Sequence, residues 1–193
     1  MNNNEILYDH FKDTVSIVKN EENKRNRMFI AIFIHLLILF LISINPESMY
    51  NTISELLKEN LKTGFYFSIN VFQIAVMISM LYCTIRYYQI NIHIDKTYIY
   101  LHRIEEDIAE EVSQDFGREG KSYLNKYPKT LNVIYYSYKY FFPLLNTIAL
   151  ISRAIANNTW NNWRIKLLEV IITIVIIALN ILYMIDTYNQ EKE

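Results

Sequence analysis

The residues best suited to chemistry gather at one turn, Asp115-Phe116-Gly117-Arg118-Glu119-Gly120-Lys121-Ser122-Tyr123, which holds two of the chain's three glycines. Gly120-Lys121-Ser122 matches the end of a phosphate-binding loop. The first glycine of that motif would fall at Asp115, however, and the segment before it reads as a helix where the motif requires a strand. Gly117-Arg118-Glu119-Gly120 has the form of the loop with which KH domains clamp a nucleic-acid backbone, but the chain offers no sheet for such a domain. What remains is general anion chemistry. Turn amides, the start of the following helix, and the side chains of Arg118, Lys121, Lys126 and Lys129 can hold an anion. The same residues could instead face lipid phosphates or the acidic stretch 105–111. His102 and Glu106 are spaced i, i+4 and could share a metal, but two side chains make a surface pair more readily than a metal site. There is no nucleophile–base pair and no metal set, and the single cysteine, Cys83, lies in an apolar run. The expectation is a protein that is not an enzyme and carries no cofactor.

The elements that must position this turn follow from where charge is missing. The chain has 193 residues, a net charge of −1, 52% hydrophobic residues, 3 Pro and 1 Cys. One cysteine rules out a disulfide framework, and the near-neutral charge argues against coating nucleic acid through bulk positive charge. The mean hydropathy of +0.06 averages two very different kinds of segment. Met28–Pro46, Thr63–Ile85 and Val170–Ile185 contain no Asp, Glu, Lys or Arg, and Leu131–Ser152 contains only Lys139. A membrane-spanning helix needs about 20 mostly apolar residues. The pattern predicts an all-α polytopic membrane protein with four transmembrane helices, 28–45, 64–87, 132–154 and 166–187, forming two hairpins. Pro143, with Asn146 and Thr147 beside it, predicts a kink and hinge in the third.

Five parts result: a cytoplasmic amphipathic arm (1–27), a first hairpin (28–88) with an outer interfacial helix at 46–62, a helical stalk with the basic turn (89–130), a second hairpin (131–188) and a short tail (189–193). The arm, with Phe11, Val15 and Val18 at helical spacing, either lies on the membrane or packs on the stalk. The stalk repeats Ile94, Leu101, Ile104, Ile108 and Val112, with Glu105, Glu106, Asp107, Glu110 and Glu111 opposite. It either continues the second span or begins with a short strand at Gln89–Ile94. Lys and Arg concentrate in the arm and the 88–130 segment, which places both termini in the cytoplasm of a bacterial inner membrane. Trp160 and Trp163 suit an outer aromatic belt.

Within the spans, polar residues form stripes. Glu169, Thr173, Asn180, Tyr183 and Thr187 share one face of the fourth span, and Asn70, Gln73, Met77 and Thr84 share a face of the second. They must face protein or a wet path, so they either line a pore or bond helix to helix. His35 is either such a bonding residue or a titratable element.

Arg118-Glu119-Gly120-Lys121-Ser122-Tyr123-Leu124-Asn125-Lys126-Tyr127-Pro128, with Tyr100-Leu101-His102-Arg103-Ile104-Glu105 upstream, resembles a run in small bacterial membrane effectors of phage-defence operons, the Hailong-type channel effectors. The resemblance covers about 30 cytoplasmic residues. It implies a homo-oligomeric ion channel held shut by a short DNA oligomer or nucleotide near Arg118 and Lys121, made by an operon-partner nucleotidyltransferase. A tetramer in the lipid bilayer is the expected assembly. The rival expectation is a membrane anchor or sensor that recruits a cytoplasmic partner through helix 101–112, without a pore.

Overall fold

The computed structural model describes residues 3–61, 68–112, 129–156 and 163–190. All of these are helical except Asn45 and Ser68. In chain order the elements are α1 (Asn3–Ile44), α2 (Pro46–Leu61), α3 (Ile69–Val112), α4 (Lys129–Tyr136), a π-turn (Ser137–Phe141), α5 (Phe142–Ala156) and α6 (Trp163–Gln190). Residues 89–94 are helical, so the competing strand is not formed.

Two of these helices are long because nothing in their sequence stops them. The first 45 residues contain neither Gly nor Pro, and neither occurs from 65 to 116. Helix breakers are therefore absent from the arm–span junction and from the span–stalk junction. α1 runs 42 residues and α3 runs 44. The break between α1 and α2 is made by Asn45-Pro46. The Asn45 amide still donates to Leu41 O at 3.1 Å, closing α1, while its Oδ1 accepts from the Ser48 amide at 3.2 Å. Asn45 thus caps α2, with Pro46 at the first helical position, where a missing N–H costs nothing. Ser68 starts α3 in the same manner, its Oγ accepting from the Asn70 amide at 3.3 Å.

The chain divides into two compact units. The first comprises Met1–Met28 and Arg86–Ser137, and the second Phe29–Ile85 and Tyr138–Glu193. In the first unit the arm packs on the stalk. Val18, Ile90, Ile94 and Leu101 form a buried cluster, flanked by Phe11, Val15, Met28 and Tyr98. The Tyr98 hydroxyl donates to Glu22 Oε1 at 3.4 Å. This settles the arm's two alternatives in favour of packing on the stalk. One expectation is corrected: Glu105, placed on the solvated acidic face by its spacing, is buried, while Glu106, Asp107 and Glu110 are exposed. Glu105 follows the buried Leu101 and Ile104 at i+4 and i+1, so the stalk's buried stripe is wider than its apolar residues alone.

In the second unit the usual arrangement of a water-soluble core is reversed. Ile30, Phe33, Leu37, Phe40, Ile78, Ile148, Ile151, Ile171, Ile174, Leu182 and Ile185 are exposed. Gln73, Thr84, Lys139, Asn146, Arg153, Glu169, Thr173, Asn180 and Thr187 are buried. An outward apolar coat over a polar interior is what lipid as a solvent demands. Among the described residues, three helices are long and apolar enough to cross a membrane: Ile6–Ile44, Ile69–Glu110 and Trp163–Asn189. The expected third span, 132–154, departs from a single α-helix, because its helical run is split into α4, the π-turn and α5. Pro143 has no N–H to offer the carbonyl one turn before it, and its ring crowds that carbonyl. The wider π-turn ends two residues earlier and accommodates the mismatch. Phe29 holds the junction from α1, with ring centroids 5.3 Å from Tyr138 and 4.9 Å from Phe142.

The arm–stalk cluster should be the main support of the first unit. Leu101→Ala is expected to cost about 2–4 kcal/mol. Denaturant unfolding of the detergent-solubilised chain, followed by circular dichroism, should show the loss.

Candidate functional site

The basic turn expected to hold an anion lies mostly outside the described residues, as do Gly117, Arg118, Gly120, Lys121 and Lys126. The backbone of Lys129 opens α4, and its side chain is outside the description. Trp160 is likewise outside it. Trp163 is exposed at the start of α6, with the Arg164 guanidinium 5.6 Å from its ring centroid.

The membrane stripes are described in full and lie in the second unit. Gln73, Thr173, Asn180, Tyr183 and Thr187 are buried, as is Glu169, and Asn70 is half-buried. α5 packs along α6. Arg153 Nη2 lies 2.6 Å from Glu169 Oε1, with both side chains over nine-tenths buried. Arg153 Nη1 also donates to Met77 Sδ of α3 at 3.3 Å. The guanidinium therefore ties three helices together at one level. Farther from the connector, Asn180 Nδ2 donates to Thr147 Oγ1 at 2.8 Å and to Pro143 O at 3.2 Å. Pro143 O also accepts from Thr147 Oγ1 at 2.9 Å. The proline expected as a hinge thus supplies a carbonyl acceptor at the α5–α6 seam.

The π-turn and α5 together carry a polar series of their own. Lys139 in the π-turn, Asn146 and Arg153 follow one another at seven-residue intervals, the last two about two turns apart on α5, and all are buried. Asn146 is 0% exposed, and neither its Oδ1 nor its Nδ2 has a hydrogen-bond partner among the described residues. The Nε of Arg153 is also without one. The signal was available as a seven-residue spacing of polar residues in an apolar run. What the spacing could not supply was the partner across the hairpin.

His35 bonds on both sides. Its Nδ1 is 2.6 Å from Ala31 O and its Nε2 is 2.9 Å from Ser79 Oγ on α3. A carbonyl only accepts, so Nδ1 carries the proton and, in the neutral ring, Nε2 accepts from Ser79. Of the two roles open to His35, the geometry displays the bonding one.

The stripes carry two measurable consequences. Asn180→Leu removes two bonds across the seam and should lower stability by about 1–2 kcal/mol. Glu169→Ala leaves a buried guanidinium uncompensated and should cost about 3–5 kcal/mol, most of it recovered in the double variant Arg153→Met/Glu169→Leu. Thermal unfolding in detergent measures both.

No protein-family model, curated protein or solved structure matches the chain.

Proposed function

We propose that the chain is a membrane effector that passes ions through its second unit. In this reading it crosses the bacterial inner membrane four times, with α4, the π-turn and α5 supplying the third crossing, and works as a homo-oligomer with a tetramer as the expected assembly. The basic turn at Arg118 and Lys121 takes an anionic ligand, a nucleotide or short DNA oligomer, and that ligand gates the path by binding open and closed states unequally.

One observation carries the reading, the contrast between two buried asparagines. Asn180 acts as interhelical glue, with its amide bonded to Thr147 and Pro143. Asn146 is equally buried and bonded to nothing among the described residues. A polar side chain surrounded by lipid-facing helices needs partners or water, and one without a protein partner belongs to a wet path. The stripe along α6 supports this. From Glu169 to Thr187 it rises about 27 Å, close to the roughly 30 Å of the hydrocarbon layer.

The exposed Glu106, Asp107 and Glu110 of α3 favour a second reading, an anchor or sensor that recruits a basic partner protein without conducting. One variant separates the two. Asn146→Leu breaks no bond among the described residues, so its melting temperature should hold or rise. In liposomes the conducting protein should lose about tenfold of its ion flux, as expected when a polar station becomes an apolar constriction. Tight wild-type liposomes containing folded, oligomeric protein would overturn conduction and leave the anchor.

A further inference from the structure

We propose that copies of this chain join head to tail through the first unit, the arm of one copy against the outer face of the next copy's stalk. The inference rests on the homo-oligomer proposed above and names its contact, and it does not depend on conduction. Val15 and Val18 turn α1 toward its own stalk. Beside them Ile6, His10, Asp13 and Ile17 follow at intervals of four, three and four, and all are exposed. On α3, Ile94, Leu101 and Ile104 are buried, while Lys96, Ile99 and Arg103, three and four apart, are exposed. Such spacings are those of a helix–helix seam. Each stripe carries an uncovered isoleucine, Ile17 at 50% exposure and Ile99 at 64%. Each also carries charge to spare: the side chains of Asp13, Lys96 and Arg103 have no partner among the described residues.

The register within one copy decides what meets across two. The arm leads into the second unit after Met28 and the stalk leaves it at Arg86, so the two helices run in opposite directions. Val18 packs with Ile94 and Leu101, and Tyr98 reaches Glu22. Val18 is therefore about level with Tyr98, and Ile17 with Ile99. Copies rotated about an axis parallel to the stalk keep their heights, so Ile17 of one copy meets Ile99 of the next. Asp13 lies four residues back along α1 and Arg103 four residues on along α3, so the carboxylate meets the guanidinium. Three residues in the other direction, Asn20 meets Lys96 in the same way. Opposite charges in register select a second copy over an anionic partner. Nucleic acid or acidic lipid laid along this face would meet the exposed Asp107 and Glu110, four and seven residues past Arg103. Two different faces in contact form a closed ring when the rotation closes.

The test uses the full chain. Two differently tagged forms, Ile17→Cys and Ile99→Cys in a Cys83→Ser background, are coexpressed and oxidised in their native membranes. A disulfide needs Cα atoms under about 7 Å apart. A cross-linked species carrying both tags is expected, and neither form alone should cross-link, because a head-to-tail contact sets position 17 against 99 and not against itself. Charge reversal gives a second reading with Cys83 intact. Asp13→Arg or Arg103→Asp should weaken assembly in detergent by about tenfold, measured by light scattering, and the double variant Asp13→Arg/Arg103→Asp should restore it. Normal assembly in both single reversals, with no mixed cross-link, overturns this surface and leaves the homo-oligomer standing. Cross-linking of Ile17→Cys to itself overturns the head-to-tail arrangement. Binding of labelled single-stranded DNA that Arg103→Asp abolishes without changing assembly assigns the face to an anionic partner and overturns the contact. A wild-type chain that stays monomeric in the membrane overturns the homo-oligomer, and this contact with it.

Discussion

A guanidinium and a carboxylate 2.6 Å apart, each over nine-tenths buried, sit inside a unit whose outer face is Ile, Leu, Val and Phe. The rest of the second unit depends on that pair. Removing one partner of a buried ion pair costs about 3–5 kcal/mol, and lipid offers the remaining charge no hydrogen bond. Arg153 and Glu169 can be tolerated only if α5 and α6 bring them together, which sets the rotation and height of one helix against the other. Met77 Sδ at 3.3 Å extends the constraint to α3. With the register set there, the bonds from Asn180 to Thr147 and Pro143 fall into place farther along the same seam.

Pro143 shows how a local defect becomes part of that seam. Its ring prevents a regular α-turn, and the π-turn Ser137–Phe141 takes up the strain just before it. Lys139 is buried within the widened turn, and just after it the Pro143 carbonyl, in the first turn of α5, accepts from two side chains. The aromatic contacts of Phe29 with Tyr138 and Phe142 hold the irregular segment without asking it for polar partners.

Much of this was legible in the sequence, and the division is physical. The absence of Gly and Pro across the arm–span and span–stalk junctions told of α1 and α3, because helix continuity is a local property. The polar faces of α3 and α6 were legible because periodicity depends on one helix alone. Glu105 was misplaced because a charge one turn past Leu101, at the edge of an apolar stripe, looks solvated until the packing partner is known. Arg153 as the partner of Glu169 was hidden for a similar reason. Pairing between helices depends on the register across a connector, and no single-helix pattern carries it. The π-turn was visible only as a proline that had to perturb something. The basic turn at Arg118 and Lys121 rests on its motif chemistry alone.

The polar interior contains more than adhesion requires. If bonding helices together were its whole purpose, each polar side chain should end in a bond, as Asn180, Thr147, Thr84 and His35 do. Among the described residues Asn146 does not, and a leucine there would insert into lipid more easily and pack at least as well. An unbonded amide seven residues from a lysine and two turns from an arginine is costly as structure. Such an amide calls for water or a further partner, and that need is the argument on which the proposed conducting role stands.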